Sequence, residues 1–161
     1  MKFIRLLMYI VTLGHCCGNI FLSRKLASRC GLFRIHYRYF LKTKCADIPL
    51  SCVLPETTLF PHDIYGCFFS INAVIGNNCT IFHHVTIGSN FEKKFINDSS
   101  KMQWGSPVIE DNVFIGAGAK IIGPIRIGSS AKIGAGCICT KDVPTEATCV
   151  MQSSRIIIKS K

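Results

Sequence analysis

The hydrophobic positions of this chain recur every six residues along most of its length. The pattern is clearest between residues 109 and 144, where six consecutive hexads read IEDNVF, IGAGAK, IIGPIR, IGSSAK, IGAGCI and CTKDVP. Each hexad begins with an isoleucine or, once, with Cys139, and a small or β-branched residue follows four positions later. A helix repeats about every 3.6 residues and a single strand every two, so neither explains this spacing. A short strand followed by a tight turn does, and its repetition predicts a parallel β-helix.

The same repeat extends towards the N-terminus. Hexads begin at Ile48 and continue to Ile87, with one interruption at residues 62–66. A second interruption, residues 89–106, is expected to form a long loop extruded from the prism. Because each coil buries its aliphatic column only against the coils above and below it, several coils must stack. We therefore predict one β-helix domain over residues 45–161.

Residues 1–44 are predicted to form a basic amphipathic helical segment, with helices over residues 3–13 and 20–42. The segment contains nine of the 19 Lys and Arg residues and no acid, so it carries almost all of the net charge of +10. Such a segment is typical of a solvated helical face, and peripheral contact with a membrane is the other outcome to consider. No nucleic-acid partner is expected. The residues expected to line the buried face of the second helix are Leu22, Leu26, Cys30 and Phe33.

The N-terminal apolar run does not have the features of a secretory signal. Lys2 and Arg5 precede it, but no small-x-small cleavage site follows. The run is also too short to span a bilayer. We therefore expect a cytoplasmic protein, with the inner face of the membrane as a further location if the basic segment binds there.

The ten cysteines do not indicate a disulfide framework. Cys52, Cys79, Cys137 and Cys139 occupy interior positions of the repeat, where cysteine serves as a small hydrophobic residue. The chain has no CxxC pair and no spacing typical of a zinc site. We expect reduced thiols and no metal.

Three stretches of the repeat resemble a known family. AVIGNNCTIFHHVTIGS, VIEDNVFIGAGAKIIGPIRIGSSAKIGAG and TKDVP, within residues 45–158, are similar to the hexapeptide acyltransferases and specifically to their serine acetyltransferase-like branch. The resemblance implies a left-handed β-helix that works as a homotrimer. It also implies that acetyl-CoA, the acyl donor, binds between neighbouring prisms and that the acetyl group passes to a hydroxyl.

The family's catalytic pair is an Asp in a "DI" element and a His fifteen residues later, and Asp47 and His62 match both. An alcohol is a poor nucleophile near neutral pH, and a histidine can accept its proton during attack on a thioester. A carboxylate on the other ring nitrogen would hold the histidine in the required tautomer. His83 and His84 are the competing candidates, and we interpret them as outward-pointing residues at a corner of the prism.

The resemblance also implies the coenzyme contacts. Gly88, Ala117 and Ala135 would present backbone groups to the pantetheine arm. Lys141 and Arg155 would bind the phosphates of the nucleotide, for which their charge is suited.

Several residues depart from the serine acetyltransferase pattern. The acid that usually precedes the catalytic His is Pro61 here, and the Arg-His pair that helps to hold the amino acid is replaced by Gly105 and Ser106. The closing NPAR element reads QSSR at residues 152–155. The acceptor therefore stays open between serine, as in cysteine biosynthesis, and a sugar of a surface polysaccharide.

Two other functional classes are considered. The first is a β-helix that has lost catalysis and serves as a scaffold or binding protein, which the presence of both Asp47 and His62 disfavours. The second is a metal-dependent β-helix similar to a carbonic anhydrase. That class needs histidines from neighbouring coils to converge on a metal, and the spacing of His62, His83 and His84 does not match it.

Overall fold

The computed structural model describes residues 19–29, 31–90 and 105–151. The helix predicted over residues 3–13 lies outside them, as does Arg155. The helices are α1 (Ile20–Arg29) and α2 (Gly31–Thr43). The strands are β1 (Phe68–Phe69), β2 (Val74–Ile75), β3 (Thr80–Ile81), β4 (Thr86–Gly88), β5 (Val108–Ile109), β6 (Phe114–Ile115), β7 (Lys120–Ile122), β8 (Arg126–Ile127), β9 (Lys132–Ile133), β10 (Ile138–Cys139) and β11 (Thr148–Cys149).

The strands form three parallel sheets, which are the three faces of a prism. Face A contains β1, β4, β7 and β10, face B contains β2, β5 and β8, and face C contains β3, β6, β9 and β11. Consecutive strands always lie on different faces, so the chain visits A, B and C in turn before it climbs one level. The register on face A places Ile87 beside Ile121 and Ile121 beside Cys139. The fold is a left-handed parallel β-helix with a short helical segment before it, as the sequence predicted.

The opening residues of the hexads form the core of the prism. Nine isoleucines in this column are each at most 1% exposed. They are Ile48, Ile75, Ile81, Ile87, Ile109, Ile115, Ile121, Ile127 and Ile133. The inner partners are also buried, among them Ala73, Cys79, Val85 and Ala119. Each isoleucine therefore removes its side chain from water against its counterparts in the adjacent coils, which is the packing that the six-residue repeat requires.

The six-residue spacing fails near the last described coil. The sequence pattern assigned Val143 as the inner partner of Cys139, within the same hexad. In the structure Val143 instead forms a parallel bridge with Ile127 and so belongs to face B. Its backbone N–H donates to Arg126 O at 2.9 Å, and Gly128 N–H donates to Val143 O at 2.8 Å. The coil thus reaches face B four residues after Cys139, because the backbone hydrogen bonds of face B take precedence over the spacing of apolar residues.

The two helices close the first coil of the prism. Asn19 caps α1, since its side-chain oxygen accepts from the backbone N–H of Phe21 at 2.9 Å. From the same helix Arg24 donates to the carbonyls of Pro49 at 2.8 Å and Cys52 at 2.6 Å. These carbonyls have no coil below them to supply donors, so the helix takes the place of a missing coil.

The predicted helix over residues 20–42 is present as α1 and α2, but its predicted buried face is only partly correct. Phe33 packs partly buried against the core, and Cys30 lies outside the described residues. Leu22 is 38% exposed, whereas Ala27 is fully buried and Tyr37 is 3% exposed. The Tyr37 hydroxyl donates to Ile48 O at 2.6 Å. The contact with the end of the prism decides which side of each helix is buried. Among the described residues, neither helix is long and apolar enough to cross a bilayer.

Candidate functional site

His62 lies where the chain turns from face C to face A. The turn covers residues 61–66, between Leu59 on face C and β1 on face A. It is held by an ion pair of 2.7 Å between Lys44 Nζ and Asp63 and by a hydrogen bond of 3.0 Å from Gly66 N–H to Lys44 O. The interruption in the six-residue repeat is thus a rigid turn that carries an exposed imidazole.

A second histidine supports the His62 ring from the next coil. The centroids of His62 and His83 lie 5.3 Å apart with the rings edge to face, and the Phe82 ring lies 5.4 Å from His62. His83 is half-buried, and its Nδ1 is buried without a hydrogen-bond partner in the described part of the chain. His83 is thus partly covered by the coil below it, whereas His84 is exposed, and the outward orientation of both corner histidines stays a prediction.

The position of His83 follows from the turn that it occupies. His84 has a positive φ of 57°, and its N–H donates to Tyr65 O at 2.7 Å. This left-handed residue reverses the chain and leaves His83 stacked on the preceding coil. The pair of adjacent histidines was visible in the sequence, but the direction of each ring depends on the coil beneath it.

Two of the predicted coenzyme contacts, Ala117 and Ala135, lie at the same corner of the prism as His62 and His83, in the coils above them. Gly118 N–H donates to His83 O at 3.0 Å, and Gly136 N–H donates to Ala117 O at 2.8 Å. Ala117 and Ala135 therefore follow His62 and His83 upward, one per coil. We call the set His62, His83, Ala117 and Ala135 the histidine corner. A Cβ added at Gly116 would lie 2.6 Å from Ala135 N, so the coils approach closely here and only glycine fits.

The other described coenzyme contacts lie at the opposite edge of face A. Gly88 ends β4, pairs with Ile122, and accepts a hydrogen bond of 2.9 Å from Gly123 N–H. Lys141 is exposed and follows β10 by two residues, in the turn from face A to face B. The predicted contacts thus flank face A, with Ala117 and Ala135 at one edge and Gly88 and Lys141 at the other.

Asp47 lies on face A, one rung below β1. Its N–H donates to Cys67 O at 2.9 Å, and its carbonyl accepts from Phe69 N–H at 2.9 Å. Its side chain is exposed. Face A is also the face that the turn of His62 enters, so the two residues share one side of the prism. Within the described residues, however, the Asp47 carboxylate makes no hydrogen bond or ion pair with His62.

The described residues at the two ends of the predicted loop, most of which lies outside the described residues, approach each other closely and leave no space for a large side chain at residue 105. Asn90 N–H donates to Gly105 O at 3.0 Å. Gly105 has a φ of 68°, and a Cβ there would lie 2.2 Å from Asn90 O. Ser106 is 1% exposed and its hydroxyl lies 3.1 Å from that of Ser70. The arginine that the serine acetyltransferase pattern has at residue 105 could not be accommodated without reshaping this loop.

Two described clefts of the prism lie away from the predicted site residues. These clefts, of about 330 and 230 Å³, lie beside α1 and are lined by residues such as Phe21, Thr58 and Glu56. They contain none of the predicted site residues. The three histidines also form no metal site, since in the described part of the chain the one group able to hold a metal consists of cysteines.

The comparisons with known proteins agree with the fold and the repeat. The family model of the bacterial transferase hexapeptide, six repeats, matches residues 106–141. A serine acetyltransferase of Bacillus pumilus is 38% identical over 147 residues, which are 91% of this chain and 62% of that protein.

Solved structures give the same result. The crystal structure of a Neisseria gonorrhoeae serine acetyltransferase in complex with serine matches with a TM-score of 0.65 and 31% identity, over 86% of this chain and 54% of that one. A serine acetyltransferase in complex with CoA matches with a TM-score of 0.64 and 27% identity, over 81% of this chain and 50% of that one.

The chain spans only part of these relatives. It covers 36% of the serine acetyltransferase of Synechococcus elongatus and 46% of that of Mycobacterium tuberculosis. The hexapeptide repeats, the left-handed prism and the similarity to these enzymes nevertheless agree with one another. The chain carries the bacterial transferase hexapeptide repeat and is similar to serine acetyltransferases over most of its own length.

Proposed function

We propose that this chain is an acetyl-CoA-dependent O-acetyltransferase that uses His62 as its general base. The observation that supports this most directly is the histidine corner, where an exposed imidazole stands at the foot of a column of small residues along one edge of face A. A solved relative is a complex with CoA and another a complex with serine. Acetyl-CoA would meet this enzyme in the cytoplasm, which is the location we propose.

The reaction follows from the chemistry of the two substrates. His62 would remove the proton from the acceptor hydroxyl while the oxygen attacks the carbonyl carbon of the thioester. The C–O bond forms, the C–S bond of the tetrahedral intermediate breaks, and the thiolate of CoA takes the proton back from the imidazolium. General-base catalysis of this kind contributes roughly 10²–10⁴-fold to the rate.

Asp47 and His83 would assist the base in different ways. A carboxylate that reaches one ring nitrogen of His62 would orient the ring and stabilise its protonated form. Asp47 is the candidate because it lies exposed on the face that the His62 turn enters. The edge of His83 restricts the ring of His62 from the other side. A restrained ring loses less freedom when the acceptor binds.

A homotrimer would complete the site. The prism exposes large apolar side chains on all three faces, including Phe68 at 49% and Ile138 at 62% on face A, Val53 at 52% on face B and Leu59 at 61% on face C. Apolar side chains exposed in this number commonly mark an interface. A second prism against face A would also enclose the histidine corner, which is open in a single chain, and would create the walls that a coenzyme needs.

The oligomer gives a direct prediction. Size-exclusion chromatography with multi-angle light scattering should give about three times the 17.8 kDa mass of the chain. Replacing the exposed Ile138 by aspartate should shift the protein towards the monomer, because a charge at an apolar contact would lose its hydration. Exchange of the exposed Thr145 for aspartate, in the turn between faces B and C, is the matched control. A wild-type protein that stays monomeric at micromolar concentration would contradict the trimer.

For the acceptor we propose first a chemical class and then two candidate molecules within it. Transfer to a hydroxyl is the broader proposal, and serine is the acceptor that the relatives' names indicate. A sugar hydroxyl is the second candidate. The close approach of the chain at Gly105 favours it, because no guanidinium can stand there to bind the carboxylate of serine. Asp63 is likewise committed to its ion pair with Lys44 and is not free for the ammonium group.

The acceptor assay follows from these contacts. Each lost charge-assisted contact is worth about 1.5–3 kcal/mol, so free serine is expected to bind weakly. With acetyl-CoA saturating, we expect a KM for serine above about 1 mM and comparable or better turnover of a sugar hydroxyl. Release of CoA is measured with a thiol reagent for both acceptors. A KM for serine well below a millimolar would exclude the sugar, and no turnover with any hydroxyl would favour the inactive scaffold.

A further inference from the structure

Three thiols meet inside the last described coil of the prism. The Sγ atoms of Cys137 and Cys149 are 3.0 Å apart, those of Cys139 and Cys149 are 3.1 Å apart, and those of Cys137 and Cys139 are 3.9 Å apart. Cys137 and Cys139 are each 3% exposed, and Cys149 is half-buried. We call these residues the thiol cluster. It lies outside the site described above.

The thiol cluster interrupts the regular core. Cys139 is in register with Ile121 of the coil below, and Cys149 is in register with Ile133. Cys137 occupies the inner position that Ala119 has one coil earlier. Three neighbouring interior positions therefore change from aliphatic residues to cysteine in one coil. Among the described residues, the buried Cys52, Cys67 and Cys79 do not belong to such a group.

The dimensions of the thiol cluster suit one metal ion after a small adjustment. With Zn–S bonds of about 2.3 Å, three sulfurs around one ion lie roughly 3.8–4.0 Å from one another. The distance between Cys137 and Cys139 already has this value, at 3.9 Å. Both shorter distances involve Cys149. A shift of the half-buried Cys149 side chain is therefore the adjustment that a bound ion would require.

We propose that Cys137, Cys139 and Cys149 bind one thiophilic metal ion, with Zn²⁺ as the representative. Three S–H bonds lose their protons to solvent and three Zn–S bonds form. Thiolate ligands select Zn²⁺ and Cu⁺ over harder ions. Since Cys149 is half-exposed, water or a small thiol can reach the fourth position of the zinc ion. The proposal does not depend on the acetyltransferase activity.

Without a metal, the thiol cluster is an inert part of the core. Burial raises the pKa of the thiols of Cys137 and Cys139, so both stay protonated near neutral pH. Such thiols are poor nucleophiles. A metal site and an inert core cluster therefore differ in one property that can be measured, which is whether a metal ion replaces the thiol protons.

The experiment uses the full chain, reduced and freed of metal with a chelator. After equilibrium dialysis against Zn²⁺, bound metal is measured by atomic spectrometry, and Cd²⁺ is added separately to record the ultraviolet sulfur-to-metal charge-transfer band. We expect about one equivalent of Zn²⁺ that is lost in Cys149→Ser, together with most of the Cd²⁺ band. Zn²⁺ should also raise the melting temperature of the wild type and not of this variant.

Cys67→Ala is the matched control, because Cys67 is a fully buried thiol of a lower coil that lies outside the thiol cluster. It should keep the equivalent of Zn²⁺ and the Cd²⁺ band. Circular dichroism shows whether each variant is folded, and Cys139→Ala provides a second test if Cys149→Ser is not. Metal content that is unchanged in folded Cys149→Ser, or no stoichiometric metal in the wild type, would overturn the proposal. So would a Cys149 disulfide, seen by mass spectrometry, in protein that binds no metal.

Discussion

Replacing His62 by alanine is expected to lower kcat by about two to four orders of magnitude, the effect of losing a general base. The imidazole is exposed at the turn between faces C and A, so its removal should not unfold the prism. The KM for acetyl-CoA should change little, because the proposed contacts of the coenzyme are with other residues. Steady-state release of CoA, with either acceptor, measures both constants.

His83→Ala is the matched control for this experiment. It removes an imidazole whose ring is 5.3 Å from that of His62 and lies in the same corner. Because His83 only supports the ring of His62, its replacement should lower kcat by at most about tenfold. Asp47→Asn should also cost less than His62→Ala, because it would remove the orientation of the ring and leave the base in place. If His62→Ala retained wild-type turnover and His83→Ala lost it, the assignment of the base would be wrong.

Replacing Ile121 by alanine is expected to reduce the free energy of unfolding by about 2–5 kcal/mol. Ile121 is fully buried in the aliphatic column, in register with Ile87 below and Cys139 above. Because the coils are held at a fixed spacing by their backbone hydrogen bonds, the cavity left by the side chain cannot collapse. Urea denaturation followed by circular dichroism measures the change.

Ile71→Ala provides the comparison at the surface. Ile71 is 62% exposed, so the same deletion should change the free energy of unfolding by no more than about 0.5 kcal/mol. Equal effects of the two substitutions would show that the column does not carry the stability of the prism. Ile71→Ala could instead reduce the free energy of unfolding by an intermediate amount in the assembled protein only. If that reduction disappeared on dilution, Ile71 would lie in the oligomer interface.

The prism could be predicted because its six-residue repeat is set by residues that are close together in the chain. Every hexad repeats the same strand and turn, so the position of a residue within the six determines whether it faces the core. The prediction failed where a long-range contact prevailed over the period. Val143 pairs with Ile127 four residues after Cys139, and the hydrogen bonds of face B determine this.

The helices show the same limit. Their presence was predicted from residues 20–42, but Leu22 proved exposed and Tyr37 buried. Helical periodicity identifies candidate faces, and a segment with apolar residues on several sides offers more than one. Contact with the open end of the prism determines which face is buried, because Arg24 and Tyr37 donate hydrogen bonds to carbonyls of the first coil.

The sequence by itself determined the class of fold, through the spacing of its hexads, and the resemblance to the acyltransferases, which implies His62 as the candidate base. Only the tertiary structure decided that the rings of His83 and His62 meet edge to face, that Gly105 has no space for a side chain, and that three cysteines share one interior. The physical reason is the same in each case. Each contact joins residues that are more than one hexad apart in the chain, within one coil or between successive coils, and it depends on backbone hydrogen bonds and loop insertions that the repeat does not encode.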